Sequence, residues 1–204
     1  MDYYFESNAD SAKTFTSKRT PAFKEIFEWL DAIVISVIAV ILFFTFIFRT
    51  VGIKGASMED TLFENDHVVI SNLFYTPKQG DIVVISRNYS NLNGDTNPDD
   101  SPIIKRVIAV AGQDVTIDPS TGKVMVDDMV LSEKYIKQGG ITTWGDGSSE
   151  PRTITVEEGK IFVMGDNREE SLDSRYSQIG QVDIRYVLGR AIFRIYPFSS
   201  IGGL

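Results

Sequence analysis

The chain has 204 residues, of which 43% are hydrophobic and 24% are charged, with a formal net charge of −8. This length allows one ordinary domain, or one domain with a small second unit, and it suffices for a sizeable hydrophobic core. The absence of cysteine excludes disulfides, thiolate zinc sites, iron–sulfur clusters and a cysteine nucleophile, and the single histidine, His67, excludes a multi-histidine metal centre. We therefore expect no metal and no cofactor, and the acidic surplus argues against a nucleic-acid partner.

An apolar run near the N-terminus predicts a membrane anchor. Residues 32–48 carry no charge over 17 positions, and as a helix they would span about 25 Å. Trp29 and Leu30 bring this length close to the roughly 30 Å hydrocarbon thickness of a bilayer. A buried core helix and a cleaved signal peptide are the alternatives, but the run is apolar on all sides and no small-residue cleavage site follows it. We predict a transmembrane helix over 29–48.

The flanking charges indicate an orientation. Three basic residues lie within 16–30 and two within 49–64, a small excess that favours a cytoplasmic N-terminus. The predicted arrangement is a cytoplasmic tail over 1–28 and an extracytoplasmic domain over 49–204.

Beyond Arg49 the composition changes to short runs rich in valine and isoleucine, separated by glycine, aspartate, asparagine and proline, which is typical of an all-β domain. Several runs are apolar at successive positions, so we expect strands that are covered on both faces. The predicted strands are 67–70, 82–85, 103–110, 115–117, 123–126, 160–164 and 187–195.

The polar stretches divide this domain. Residues 88–101 and 137–153 are predicted loops, and 115–131 is a predicted hairpin with its turn at 119–122. The predicted fold is mainly β: an antiparallel β-sheet catalytic domain with a small β-hairpin insert, anchored by one N-terminal transmembrane helix. Its core is formed by 49–111 and 155–204, and the insert by 112–154.

Ser57 follows two small residues, Gly55 and Ala56, which leave its hydroxyl unobstructed. Most serines in such a context are turn residues or helix caps, so this feature alone leaves the function open.

Lys105 and Arg106 are adjacent cations in an apolar predicted strand. One interpretation is an edge strand whose long side chains reach water. The other is chemical, because burial disfavours the ammonium form and lowers the pKa of a lysine towards the range of a general base. A neutral amine could then accept the proton of a serine nucleophile.

The third stretch, 165–175, begins with the turn-forming triplet Gly-Asp-Asn. In an extended chain Ser171, Asp173 and Arg175 would point to one side. A solvated loop with incidental charges is the alternative.

In this order behind an apolar segment, the three stretches resemble the bacterial type I signal peptidases (leader peptidases), which are Ser–Lys membrane proteases that remove signal peptides. The resemblance extends from the apolar segment to about Pro197. It rests on Gly-x-Ser-Met-x-x-Thr-Leu at 55–62, Lys-Arg-Val at 105–107 and Gly-Asp-Asn-Arg-x-x-Ser-x-Asp-Ser-Arg at 165–175. The short tail and single anchor are similar to the Gram-positive type.

The resemblance implies that Ser57 is the nucleophile and Lys105 the general base. It implies that Ser171 positions the lysine amine and that Asp173 and Arg175 shape the same wall. Asp166 and Arg168 are expected to be structural. The backbone N–H of Ser57 would be one oxyanion donor, and Gly55 stands where some members have a serine that supplies a second. Asp60, Ala109, Ala111 and Gln113 also depart from the usual family residues.

The substrates that the resemblance implies are exported preproteins, bound as an added β-strand with small residues at the first and third positions before the cut. Ile53, Gly55, Ile82 and Ile85 are the expected walls of this site. Membrane lipid and the secretion machinery are further expected partners.

Three other functions fit part of the sequence. A LexA-like self-cleaving protease shares the Ser–Lys chemistry but would carry a DNA-binding domain in place of the apolar segment. A catalytically silent module that binds signal peptides would explain Asp60 and the altered 109–113 stretch, but not the intact Ser57, Lys105 and Ser171. A Ser–His–Asp hydrolase would depend on His67, which lies in a predicted strand.

Overall fold

The computed structural model describes residues 21–86, 102–137 and 140–204, and the predicted loop at 88–101 and most of the predicted tail lie outside them. The chain divides into two compact units, Met1–Phe43 and Phe44–Leu204. The described part of the first unit is helical, and the second unit contains the β-sheets.

Helix α1 covers Pro21–Ile47. It therefore begins eight residues before the predicted anchor. Its first residue is a proline, whose missing N–H costs nothing because the N–H groups of the first helical turn have no acceptor within the helix. Among the described residues, this is the one helix that is long and apolar enough to cross a membrane, over Lys24–Thr45. At 22 residues this segment would be about 33 Å long, which matches a bilayer.

The described residues that follow contain twelve strands, and every pairing between these strands is antiparallel. The strands are β1 Phe48–Gly52, β2 His67–Ser71, β3 Ile82–Ile85, β4 Ile103–Val110, β5 Asp114–Asp118, β6 Lys123–Val126, β7 Met129–Val130, β8 Arg152–Thr155, β9 Lys160–Met164, β10 Val182–Asp183, β11 Val187–Tyr196 and β12 Gly202–Gly203. Short 3-10 helices occur at Ile184–Tyr186 and Phe198–Ser200. The mainly antiparallel β fold is thus confirmed.

The strands form two sheets. The larger has the order β1-β2-β11-β3-β4-β9-β10, with β12 added to β11, and the smaller has the order β7-β6-β5-β8. The smaller sheet contains the predicted hairpin, in which β5 pairs with β6. It also contains β8, which begins inside the stretch 137–153 that the sequence predicted as a loop.

Each predicted strand corresponds to an observed one. Strands β1, β7, β8, β10 and β12 were not predicted; Phe48, the first residue of β1, had been assigned to the helix, and the start of β8 to a loop. All four residues of β3 are buried, as expected for a strand covered on both faces.

Three clusters of buried apolar side chains fill the domain. The first lies between the smaller sheet and β9 and includes Trp144 and Phe162. The second includes Ile53, Met58 and Leu62, which flank Ser57 in the sequence. This second cluster fixes the loop between β1 and β2 on the body of the sheet, because extracting side chains of this size costs about 1.5–3 kcal/mol each.

Candidate active site

Ser57 and Lys105 are brought together by the fold. Ser57 lies in the turn between β1 and β2, and Lys105 lies on β4, which the sheet places between β3 and β9. The Lys105 Nζ donates to Ser57 Oγ at 2.7 Å. The two side chains that the sequence singled out as nucleophile and base are therefore in direct hydrogen-bond contact, as such a pair requires.

The environment of Lys105 favours the neutral amine. The residue is only 4% exposed, and this burial lowers the pKa of Lys105 from 10.5 to about 8. The Asp173 and Asp166 carboxylates act in the opposite direction, and the Arg175 guanidinium lowers the pKa further. A lysine with such a pKa has an appreciable unprotonated fraction near neutral pH, so it can accept a proton.

The turn that carries Ser57 is held in place by its backbone and by Met58. Gly55 has a φ of +79°, a conformation that glycine adopts without strain. The Met58 side chain is fully buried, and the Met58 carbonyl oxygen accepts hydrogen bonds from the backbone N–H groups of Thr61 and Leu62 at 2.8 Å each.

No described residue accepts a hydrogen bond from the backbone N–H of Ser57. That N–H is available to a developing oxyanion.

Asn167 contacts the backbone around Ser57, an arrangement that the sequence did not predict. Its backbone N–H donates to the Ser57 carbonyl oxygen at 3.0 Å, and its side-chain Nδ2 donates to the Ala56 carbonyl oxygen at 3.1 Å. Asn167 is only 3% exposed. The turn after β9 thus holds the backbone on which the nucleophile is mounted. In the sequence, Asn167 belongs to the Gly-Asp-Asn triplet, which predicted a turn but not this contact with the nucleophile's backbone.

Arg106 and Asp166 form a buried ion pair beside the dyad. Arg106 Nε donates to Asp166 Oδ1 at 2.8 Å and its Nη2 donates to Oδ2 at 2.7 Å. The Thr61 hydroxyl donates to the same carboxylate. Because β4 is an interior strand and Arg106 is paired, the edge-strand interpretation of Lys105 and Arg106 is wrong. The pair ties β4 to the turn after β9, as the expected structural role of Asp166 requires.

Ser171, Asp173 and Arg175 form one buried network. Ser171 Oγ donates to Asp173 Oδ2 at 2.7 Å, and Arg175 Nε donates to Asp173 Oδ1 at 2.8 Å. The Gly165 N–H also donates to Asp173, at 3.0 Å. From the sequence, Ser171 is expected to position the Lys105 amine. Among the described residues, however, the amine is hydrogen-bonded to Ser57, and the Ser171 hydroxyl donates to Asp173 instead.

Gly165 sets the spacing between this network and the nucleophile. A Cβ at position 165 would lie 2.3 Å from Ser171 Oγ and 2.4 Å from the Ser57 carbonyl oxygen. Both distances are far below van der Waals contact. Only glycine at this position allows the Ser171 network and the Ser57 turn to approach each other so closely.

Arg168 connects the site to the segment that follows β7. It donates from Nε to the Gly165 carbonyl oxygen at 2.9 Å and from Nη1 to Thr142 at 2.5 Å, and it forms an ion pair with Glu133. In the same segment, the Tyr135 ring lies 4.1 Å from the Arg106 guanidinium carbon. These contacts support the expected structural role of Arg168, and its partners Thr142 and Glu133 are residues that the sequence did not single out.

The predicted substrate walls are only partly brought together. Ile53 and Ile82 are 3% and 4% exposed and belong to the cluster that contains Met58, next to the nucleophile. Ile85 lies in a different cluster, with Val83. Since successive side chains of a strand alternate between faces, Ile82 and Ile85 point in opposite directions from β3. Ile85 therefore does not lie on the side of the sheet where Ile53 and Ile82 pack together.

His67 lies on β2, where its ring contacts that of Tyr196 at a centroid distance of 5.7 Å. Ser57 Oγ is instead bonded to Lys105, which gives no support to a Ser–His–Asp site. The described residues contain no group of three or more histidine or acidic side chains placed to hold a metal ion.

Comparisons with known proteins identify the family of this chain. The family model "Signal peptidase, peptidase S26" matches residues 26–196. Signal peptidase I of Bacillus licheniformis is 31% identical over 194 residues, covering 90% of this chain and 96% of the relative. Signal peptidase IB of Staphylococcus aureus strain COL is 31% identical over 191 residues, covering 87% of this chain and 93% of the relative.

A solved structure, that of a signal peptidase I from Enterococcus faecalis V583, matches at 25% identity with a TM-score of 0.42, covering 57% of this chain and 97% of that one. The family model spans most of the chain, and the relatives match nearly end to end. The chain therefore belongs to the signal peptidase family, peptidase S26.

Proposed function

We propose that Ser57 and Lys105 are the nucleophile and the general base of this chain. Members of its family are serine endopeptidases that remove signal peptides from preproteins, and this chain is such an enzyme. The observation that carries the assignment of the two residues is the 2.7 Å contact between Lys105 Nζ and Ser57 Oγ. A buried lysine whose pKa is lowered to about 8 is a suitable base for that hydroxyl.

The proposed reaction is acyl transfer in two steps. Neutral Lys105 takes the proton of Ser57 Oγ as the oxygen attacks the scissile carbonyl carbon, and the backbone N–H of Ser57 stabilises the oxyanion. The resulting ammonium then protonates the departing amine, and the signal peptide remains esterified to Ser57. Lys105, neutral again, takes a proton from water as the water oxygen attacks the ester carbon. The C–Oγ bond then breaks, the Lys105 ammonium returns the proton to Ser57 Oγ, and the signal peptide leaves with a free carboxyl end.

In the proposed site, Ser171, Asp173 and Arg175 support the dyad. The arginine holds the Asp173 carboxylate, which accepts from the Ser171 hydroxyl and stabilises the protonated form of Lys105 that appears during attack. Ile53, Gly55 and Ile82 are the proposed walls for an extended substrate. Ile53 and Ile82 belong to the cluster that contains Met58, and Gly55 lies two residues before the nucleophile. The expected substrates are exported preproteins with small residues before the cut.

The proposed topology is a single-pass protein of the bacterial cell membrane with a cytoplasmic N-terminal tail and an extracytoplasmic catalytic domain. The segment Lys24–Thr45 supports membrane anchoring. Because the chain contains no cysteine, single cysteines at Lys123 and in the tail can be tested with a membrane-impermeant thiol reagent in intact cells. Labelling at Lys123→Cys but not in the tail would support this orientation, and the reverse pattern would overturn it.

Cleavage of a preprotein tests the proposed function. The purified chain in detergent is incubated with a preprotein that has an Ala-x-Ala site, beside Ser57→Ala and, as a matched control, Ser120→Ala on the exposed turn between β5 and β6. We expect the wild type and the control to cut after the last alanine, with the new N-terminus identified by sequencing, and Ser57→Ala to be inactive. Equal cleavage by Ser57→Ala would rule out this nucleophile. A folded wild type that cuts none of several preproteins would favour a silent binding module.

A further inference from the structure

The loop between β2 and β3 and the start of β11 enclose a cavity of about 420 Å³ on the opposite side of β2 from β1. Its lining combines two exposed apolar side chains, Leu73 and Phe74, with two cations, Lys78 and Arg190. None of these four residues has a part in the proposed reaction.

Phe74 is presented to solvent by an ordered loop. Its side chain is 97% exposed and that of Leu73 is 51% exposed, although apolar groups of this size gain about 1.5–3 kcal/mol each from leaving water. Phe74 has a φ of +50°, which is uncommon for a bulky residue. The neighbouring Tyr75 fixes the loop, since its hydroxyl donates to Asp81 at 2.9 Å. The apolar pair is thus held outward by the fold.

The two cations beside this pair retain capacity for an anion. The Lys78 ammonium is exposed and forms no ion pair with a described residue. Arg190 is 43% exposed and lies 3.3 Å from Asp81. The Asp81 carboxylate is already engaged, because it also accepts from the Tyr75 hydroxyl and from the Lys78 backbone N–H. The cavity lining therefore has two positive charges and one negative charge, which leaves a net positive charge for an anion.

The cavity lies close to the point where the chain enters the sheet after the candidate membrane span. Phe48, the first residue of β1, is paired with Ser71 of β2, and Ser71 is paired in turn with Arg190 of β11. Two such steps place the Cα atoms of Phe48 and Arg190 about 10 Å apart. The candidate membrane span ends at Thr45, three residues before Phe48, so chain length limits the distance between them to about 11 Å.

We propose that this cavity binds the headgroup of an acidic phospholipid in the bilayer that carries the anchor. The lipid phosphate is bound by Lys78 and Arg190, and Leu73 and Phe74 reach the boundary of the acyl chains. Basic residues with apolar neighbours are the combination that binds an anionic interface. The region 49–204 holds 16 basic and 22 acidic residues, so an acidic membrane repels most of its surface and attracts this cavity. The proposal rests on the membrane anchoring given under the proposed function.

The test uses the full chain in nanodiscs of phosphatidylcholine with an increasing fraction of phosphatidylglycerol. Since the chain has no cysteine, Phe74→Cys carries a single environment-sensitive fluorophore, and nitroxide-labelled lipids report its contact with the headgroup region. The matched control is Phe198→Cys, also exposed (80%), which lies beyond Tyr196 and so at the His67 end of β2. Each label is examined with the wild-type cations, with Lys78→Gln/Arg190→Gln, and with Lys123→Gln/Lys134→Gln, which removes the same charge elsewhere.

We expect quenching at position 74 that increases with phosphatidylglycerol, and little at position 198. Replacing Lys78 and Arg190 should lower the docking equilibrium constant by about fivefold for each cation, and the Lys123/Lys134 pair should have little effect. Equal quenching at both positions, or equal loss with both pairs of substitutions, would overturn the proposal. An equal response to glycerol 3-phosphate in neutral detergent would assign the cavity to a soluble anion and overturn it as well. The label reports lipid contact whether or not the enzyme cuts, so failed cleavage counts against the proposed function and failed quenching against this site.

Discussion

The backbone N–H of Asn167 donates to the carbonyl oxygen of Ser57 at 3.0 Å. The nucleophile is therefore held from behind by the turn that follows β9, while its hydroxyl faces the lysine on β4. One contact is to the backbone of Ser57 and the other to its side chain. They explain how a serine in a loop attains the fixed geometry that attack on a carbonyl needs.

Replacing either member of the dyad should abolish cleavage. In Ser57→Ala the attacking oxygen is absent, and in Lys105→Met the base is replaced by an apolar side chain of similar length. We expect preprotein cleavage to fall by roughly four to six powers of ten in each, and the double variant to be no worse than the single ones. Initial rates with one preprotein measure this. Additive losses would contradict the assignment of the two residues to a single catalytic unit.

Lys105→Met should also stabilise the fold. The pKa of Lys105 is about 8 in the folded chain and 10.5 as its ordinary value, so the unfolded state binds more protons between these pH values. Wild-type stability then increases with pH from about 8 to about 10.5, and below this window the buried lysine costs about 3 kcal/mol. Melting temperatures of both proteins, compared near neutral pH and near pH 10, test this. An equal difference at both pH values would contradict the expectation.

Gly165→Ala should inactivate the enzyme without removing any reacting group. Its Cβ would lie 2.3 Å from Ser171 Oγ and 2.4 Å from the Ser57 carbonyl oxygen, so the turn or the network must move. A displacement of about 1 Å lowers kcat by about 100-fold. Gly202→Ala is the control, because nothing lies within 4 Å of its added Cβ. Wild-type kcat in Gly165→Ala would show that Ser57 and Ser171 need not be so close.

Asn167→Ala should lower kcat more than it raises KM. The variant keeps the backbone N–H but loses the 3.1 Å bond from Nδ2 to the Ala56 carbonyl oxygen, which loosens the turn by about 1–3 kcal/mol. We expect kcat to decrease by about 10- to 100-fold. Gln178→Ala removes an exposed amide and serves as the control. If KM alone changed, Asn167 would have to be placed in the substrate site.

Much of this fold could be predicted from sequence, for identifiable reasons. Strands such as β3 and β9 are continuous apolar runs because they are covered on both faces, and they are conspicuous for that reason. The two-residue strands β10 and β12 have no such pattern, since their pairing is imposed by β9 and β11.

The site was predictable where chemistry needs a particular residue type and less so where tertiary contacts decide. Ser57 and Lys105 were singled out by small neighbours and by a cation in an apolar strand, and the resemblance to signal peptidases supplied their expected roles. The hydrogen bond from Asn167 to Ser57 joins segments that are distant in sequence. So does the ion pair of Arg168 with Glu133, which no local pattern indicates. Ile85 was misplaced because the odd spacing from Ile82 was not converted into opposite faces of β3.

The pH dependence of kcat/KM tests the central claim, that a buried lysine of lowered pKa activates Ser57. Cleavage of one preprotein is measured from about pH 6 to about pH 10, with substrate well below KM. Because the neutral amine is the active form, we expect kcat/KM to rise tenfold per pH unit at low pH, to bend near pH 8 and to level off above it. A profile that is flat across this range, or one that falls as the pH rises through 8, would contradict a lysine base.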